Sequence, residues 1–188
     1  MANAHSQITE IIASLNAAEQ RLIALAARTD AENWTIRHRP DSWSIAECVE
    51  HLNMTSRAFI PLIRSALEND QSRSDAPGHK FKRDTAGFML SAMVGPLRKI
   101  GQTRIGRVKT TAEFEPKDLI PKNASVADFS KLQTVLIHLI RGSERRPLSD
   151  IKIVSPFGGK LRYNLFSAYT ILPRHQHRHL QQAEAVWK

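Results

Sequence analysis

The sequence has little cysteine, few aromatic residues and no long hydrophobic run. Cys48 is its single cysteine, which excludes an internal disulfide and is typical of a cytosolic protein. No apolar run approaches the roughly 18 residues that a membrane span needs, so no membrane segment is expected. The first residues lack the basic start and apolar stretch of a secretory signal, and we therefore expect a cytoplasmic protein.

Acidic residues are outnumbered, 18 against 27 lysines and arginines, and the formal net charge is +9. Such a balance suggests a nucleic-acid partner, a basic surface with no special partner, or a pocket rim that attracts acidic small molecules. Aromatic residues make up 6% of the chain, so no platform for stacking bases is evident. The basic residues are spread along the chain and are densest at 98–109 and 141–146. We therefore expect no nucleic-acid partner, and the role of the basic region 69–121 stays open.

Hydrophobic residues make up 41% of the 188 residues, enough for the core of one domain that spans 1–188. They recur mostly at steps of three and four residues, which predicts amphipathic helices. Four long helices are predicted, with a short one at 84–97 between the second and third: 5–27, 44–67, 126–141 and 164–187. The connectors 29–42, 69–83, 100–121 and 145–163 all contain proline and are predicted to be irregular. We therefore expect an all-α fold, a four-helix bundle with long connectors.

Polar residues mark where three of these helices begin. Ser44 and Glu47 form a capping-box pattern, in which each side chain accepts a hydrogen bond from the other residue's backbone N–H. Ser125 and Asn164 are predicted to cap the third and fourth long helices. Two prolines fall inside predicted helices and are expected to kink them, or to delay the start of the last one: Pro61 and Pro173.

The histidines near the C-terminus have the spacing of metal ligands. His175 and His179 are four residues apart, so they share one face of a helix and can converge on one ion. His177 points to roughly the opposite side. His51, in the second long helix, could supply a third nitrogen, and three imidazoles with open positions are typical of a catalytic metal site. The alternative is a chance pair that faces solvent. Gln176 stands where a His-Glu-x-x-His metallopeptidase carries its general base, which argues against that class.

Two segments and a connector form a recognisable pattern: the stretch WSIAECVEHL from Trp43 to Leu52, the segment running from Pro156-Phe-Gly158 to His179-Leu-x-Gln182, and Phe114-Glu-Pro116. This pattern resembles the DinB-like (YfiT-like) family. The resemblance covers nearly the whole chain. It implies a four-helix bundle with up-down-down-up topology. It also implies a divalent metal, zinc or nickel, held by His51, His175 and His179. Relatives are commonly homodimers, and some use a low-molecular-weight thiol as cosubstrate.

The resulting hypothesis is a metal-dependent transferase or hydrolase that acts on a small molecule. The metal would lower the pKa of a water or thiol, so that hydroxide or thiolate becomes available near neutral pH. A non-catalytic bundle that binds a metal or small ligand, such as a stress protein, is the alternative, and whether the chain is an enzyme stays open. Nucleic-acid binding driven by the basic charge is a third, disfavoured hypothesis.

Three further residues near the predicted site have two interpretations each. Glu47 lies one turn before His51 and is the candidate catalytic residue, as a base or as a group that orients a ligand, but the capping box alone also explains it. Cys48 is either a buried structural cysteine or a nucleophile beside the pocket. His138 is expected to be a core or rim histidine rather than a fourth ligand.

Polar residues beyond these could contact a metal ligand or a substrate. Gln182 follows His179 by three residues and either supports that histidine or faces solvent. Three arginines lie near the end of the third long helix: Arg141, Arg145 and Arg146. They could bind an anionic substrate, or they form a solvated charged surface.

Overall fold

The computed structural model describes residues 3–70, 72, 80–96, 98–100, 103–105, 110–118, 120–158 and 161–187. The chain is mostly helical, as predicted. The described residues form six α-helices: α1 (Ala4–Ala27), α2 (Ala31–Thr35), α3 (Ile45–Asn69), α4 (Thr85–Val94), α5 (Lys122–Gly142) and α6 (Leu165–Glu184). The same residues form four strands: β1 (Arg98–Ile100), β2 (Thr103–Ile105), β3 (Lys152–Val154) and β4 (Arg162–Asn164). Two 3-10 turns lie at Ala112–Phe114 and Ala185–Trp187.

The four long helices pack around a shared interior. α1 and α3 each contact both α5 and α6. Two clusters of buried side chains fill the space between them, one around Phe59, Tyr163 and Tyr169 and the other around Trp34 and Phe129. None of the helices in the described part of the chain combines the length and apolarity that crossing a membrane requires.

The predicted starts of α3 and α6 are confirmed. The Ser44 hydroxyl accepts from the Glu47 backbone N–H, and the Glu47 carboxylate accepts from the Ser44 N–H at 2.8 Å. Asn164 accepts from the Ser167 N–H at 2.8 Å. These bonds satisfy N–H groups that have no partner inside the helix.

The predicted cap at Ser125 is wrong. α5 begins at Lys122, and the Ser125 N–H already donates to the Pro121 carbonyl at 2.9 Å, so Ser125 lies inside the helix and is buried. Pro121 takes the N-cap position with φ −53° and ψ 143°, and the helical backbone begins at Lys122.

Three predicted irregular connectors contain regular structure instead. The connector 29–42 includes α2, which Asp30 caps by accepting from the Asn33 N–H. The connector 145–163 contains β3, which pairs antiparallel with β4. The paired residues Ile153 and Tyr163 are both buried, so this cross-strand pair joins the core. The region 100–121 likewise includes part of the β1–β2 hairpin. Most of the predicted loop 69–83, including Pro77-Gly78, lies outside the described residues, as do the side chains of 97–109.

Both prolines lie within continuous helices. α3 includes Pro61, and α6 begins at Leu165 and runs through Pro173, so its start is not delayed. A proline inside a helix costs about 3 kcal/mol. Pro173 is buried, and the packing of the long helices offsets this cost.

α4 packs closely against the beginning of α6, and Gly87 makes this approach sterically allowed. A Cβ atom at Gly87 would overlap Ser167 Cβ and would lie 2.8 Å from Asp84 Oδ1. Both neighbours are held by hydrogen bonds, since Ser167 Oγ donates to Asp84 Oδ1 at 3.1 Å. Gly87 is therefore required by packing rather than by its backbone angles.

We expect Gly87→Ala to lower the free energy of unfolding by about 2–3 kcal/mol, because the added methyl group forces α4 away from α6. Chemical denaturation measures the change. The control is Gly142→Ala, where no atom lies within 4 Å of the added Cβ, and there we expect a neutral or slightly stabilising effect. Equal effects of the two substitutions would show that the close approach does not limit stability.

Candidate metal centre

Three histidines converge between α3 and α6. His51 is on α3, and His175 and His179 lie one turn apart on α6; all three are buried. His175 Nε2 lies 3.2 Å from His51 Nε2 and 3.1 Å from His179 Nε2. The structure thus brings together the three histidines that the sequence indicated, with ligand atoms all within 4.8 Å of one another.

A backbone carbonyl fixes the tautomer of His51. His51 Nδ1 is 2.8 Å from the Phe114 carbonyl oxygen, which can only accept, so Nδ1 carries the hydrogen. In the neutral ring Nε2 then offers a lone pair toward the other two histidines. A hydrogen bond of this kind on the distal nitrogen is the usual support of a metal-binding histidine.

Hydrogen bonds among the three histidines cannot satisfy all three converging nitrogens. The His51 nitrogen has no hydrogen to give. His175 Nε2 can donate one hydrogen bond to His51 Nε2. Its hydrogen then points away from His179 Nε2, although His179 Nε2 is about as close to His175 Nε2 as His51 Nε2 is. A cation in the middle would accept all three lone pairs at once. Two nitrogens that are 2.0–2.1 Å from one tetrahedral ion lie about 3.3 Å apart, close to the spacing found here. The cluster therefore fits a divalent metal.

Burial keeps these imidazoles neutral. It lowers the pKa of His51 to about 4, against a weaker opposing effect of the bond to Phe114. It also lowers the pKa values of His175 and His179 well below the ordinary value, and the other histidines and the Arg178 charge add to this shift. At neutral pH the three rings thus present lone pairs with no proton to displace, as metal ligation requires.

A cavity of about 590 Å³ opens beside the histidines, within the range typical of small-molecule sites. Its walls are largely apolar or aromatic. The Trp43 ring stacks on His179 with centroids 5.8 Å apart, and Phe157 lies 5.4 Å from the His175 ring. Leu90 and Val94 of α4 form an aliphatic part of the cavity wall. The histidines thus lie at a cavity that can exclude water from a bound organic molecule.

Arg178 adds a cation to this cavity. Its side chain lines the wall next to the histidines, and the residue is 5% exposed. Nη1 donates to the Met93 carbonyl at 2.9 Å and to the Gly95 carbonyl at 3.3 Å, which ties α6 to the end of α4. Burial lowers the pKa of the guanidinium from its usual value. Arg178 was not among the residues predicted from the sequence, although its position three residues after His175 places both on one helix face.

Glu47 acts as the capping residue that the sequence suggested. Its carboxylate accepts from the Ser44 N–H and from the Arg37 guanidinium, with Nε–Oε2 at 2.8 Å. Burial would raise the pKa of Glu47, but the bonds from Arg37 and Ser44 outweigh it and lower the pKa. Its role as a base stays a prediction, and these hydrogen bonds already occupy both of its oxygens.

Cys48 and His138 lie in contrasting environments. Cys48 is buried in the apolar cluster around Trp34, and burial followed by the charge of Glu47 raises its pKa to about 12, which is typical of an unreactive structural thiol. His138 is exposed, so the prediction of a core or rim position is wrong. It lies two residues from the inward-facing Leu136 and therefore points the other way.

One of the four remaining polar candidates lines the cavity, and the other three, all arginines, lie elsewhere. Gln182 lines the cavity next to His179. Arg141 and Arg145 are exposed, and Arg146 donates to the Leu67 carbonyl at 3.0 Å. His177 also faces away from the cluster, as predicted, and contacts Ser14 Oγ at 3.1 Å.

Comparison with known proteins agrees with this arrangement at the level of the family. Neither a curated protein nor a solved structure matches the chain significantly. The family described as the DinB superfamily matches residues 14–183 and thus includes the segments that carry all three histidines. The chain belongs to the DinB superfamily.

Proposed function

We propose that the chain binds one divalent metal ion, zinc or nickel, through Nε2 of His51, His175 and His179. The observation that carries the proposal is the convergence of three buried, neutral imidazoles whose Nε2 atoms cannot all be satisfied by hydrogen bonds to one another. We also propose that α1, α3, α5 and α6 form an up-down-down-up bundle, supported by the contacts of α1 and α3 with both other helices.

The function that this site supports best is that of a metal-dependent transferase or hydrolase acting on a small molecule in the adjoining cavity. The ion would supply Lewis acidity toward a water or a low-molecular-weight thiol in the cavity. The protein's own residues would hold the reactants. The Phe114 carbonyl orients His51, and the aromatic walls exclude water from an organic substrate.

Metal analysis of the purified, untagged chain tests the proposal. We expect about one zinc or nickel ion per chain, and none in the His175→Ala/His179→Ala variant. The control is His177→Ala, which removes a histidine of the same helix that faces away from the cluster and should keep the metal. No metal in the parent chain, even after reconstitution with several divalent ions, would contradict the proposal.

Turnover separates an enzyme from a metal-binding protein without catalysis. An enzyme of this class should lose thiol-transfer or hydrolysis activity on chelation and regain it when the metal returns. A metal-loaded chain that turns over no substrate in either assay would favour the non-catalytic alternative.

A further inference from the structure

With the proposed ion bound, the buried end of the cavity beside the histidines would carry positive charge. Imidazoles are neutral ligands, so a divalent ion that they hold keeps its full charge. Arg178, buried in the same wall, adds another positive charge, and this charge already acts on His175 and His179 by lowering their pKa values. Two positive charges that lie close together in a buried wall attract an anionic group of a ligand more strongly than either charge alone.

The carboxylates among the described residues of the cavity wall lie toward solvent. They are Asp41 and Glu115, and both residues are exposed, whereas Arg178 and the histidines are buried. Asp41 also contacts Arg39, with Nε–Oδ1 at 3.2 Å. The inner end of the cavity is therefore where an anionic group of a ligand is stabilised most.

The rest of the cavity favours an apolar ligand body. The side chains of Trp43, Phe114 and Phe157 surround the histidines, and Leu90 and Val94 line the α4 side. A volume of about 590 Å³ accommodates a body of one or two rings. A guanidinium is planar and offers several N–H donors in a fixed arrangement, which suits recognition of a carboxylate better than recognition of a neutral amide.

We propose that the cavity takes an organic anion with an apolar, ring-sized body, and that Arg178 is the residue that selects the anionic group. The inference rests on the proposed metal site, because the charge of the ion contributes to the preference. The competing explanation is that Arg178 only ties α6 to α4 through the Met93 and Gly95 carbonyls.

Arg174 offers a matched control for this competing explanation. It lies one turn earlier on α6 and also ties that helix to α4, since its Nε donates to the Ser91 carbonyl at 3.0 Å. Arg174 is exposed, whereas Arg178 is buried in the cavity wall. Arg174→Met and Arg178→Met therefore remove the same charge and a similar tether, and Arg178→Met alone changes the cavity.

Calorimetric titration of the metal-loaded chain with naphthylacetate and with naphthylacetamide, near neutral pH, tests the inference. We expect the carboxylate to bind at least about tenfold more tightly than the amide. Arg178→Met should remove most of this difference and leave only the part that the ion contributes, Arg178→Lys should retain more of it, and Arg174→Met should leave it intact. Thermal melting of the two methionine variants checks that both are folded.

Three outcomes would overturn the inference. Equal affinities of the parent chain for the two ligands would do so without reference to any variant, as would the absence of naphthylacetate binding. If Arg174→Met and Arg178→Met reduce the affinity difference between the two ligands equally, Arg178 only ties α6 to α4. Metal content is measured on the same samples, so a chain that holds no metal is recognised as a failure of the proposed function itself.

Discussion

Chelation of the metal is expected to lower the free energy of unfolding by about 4 kcal/mol, if the free metal concentration beforehand is about 1,000 times the dissociation constant. The ligands come from parts of the chain that only the folded state brings together, since His51 and His175 are 124 residues apart in sequence. The unfolded chain therefore lacks the site, and metal binding stabilises the folded state alone. Urea titrations with and without a chelator such as EDTA measure the effect.

The His175→Ala/His179→Ala variant distinguishes the site from other actions of the chelator. Its denaturation midpoint should be the same with and without EDTA, whereas the His177→Ala midpoint should shift as in the parent chain. A chelator effect of the same size in the double variant would place the stabilising metal elsewhere and contradict the assignment of these histidines.

Asp84→Ala is expected to destabilise the fold by about 3 kcal/mol, because one carboxylate serves four hydrogen-bond donors. Its Oδ1 caps α4 by accepting from the Gly87 N–H at 3.0 Å and also accepts from Ser167 Oγ. Its Oδ2 accepts from Lys152 Nζ at 2.7 Å and from the Asn164 N–H at 2.9 Å. Burial opposes ionisation of Asp84, but these bonds outweigh it and lower its pKa. Removing the carboxylate leaves buried donors without a partner.

A second aspartate that caps a helix serves as the control, because replacing it removes a cap without removing the further hydrogen bonds that Asp84 makes. Asp30 caps α2 by accepting from the Asn33 N–H at 2.7 Å, and it is exposed. Asp30→Ala should therefore cost only about 1 kcal/mol. Chemical denaturation of both variants measures the difference, and similar losses would show that the contacts of Asp84 to α6 and the β3–β4 hairpin contribute little.

The long helices and the two α6 histidines could be predicted because their signals are local. Capping at Ser44 and Asn164 depends on residues three positions away, and the convergence of His175 and His179 depends only on helix geometry. Ser125 is also a residue type that caps helices, but α5 begins at Lys122, three residues before it. The β3–β4 hairpin was missed because strands of three residues are too short for an alternating pattern to be distinctive.

The orientation of the site depends on contacts that are distant in sequence. Nothing local predicts that Phe114 meets His51, which is 63 residues away, or that Arg178 reaches the carbonyls at the end of α4, 83 and 85 residues away. Sequence spacing could have placed Arg178 on the face of His175. It could not have shown that the guanidinium is buried in a cavity wall, because that depends on where α4 packs.

The backbone bond to His51 has an evolutionary consequence. Where a carboxylate orients a metal-binding histidine, a point mutation can remove it. Here the acceptor is the carbonyl of Phe114, which every amino acid at that position would still provide. The orientation of His51 is therefore robust to substitution at 114, while an insertion or deletion in the neighbouring connector would displace the carbonyl. Divergent relatives of this chain should tolerate changes of residue there more readily than changes of length.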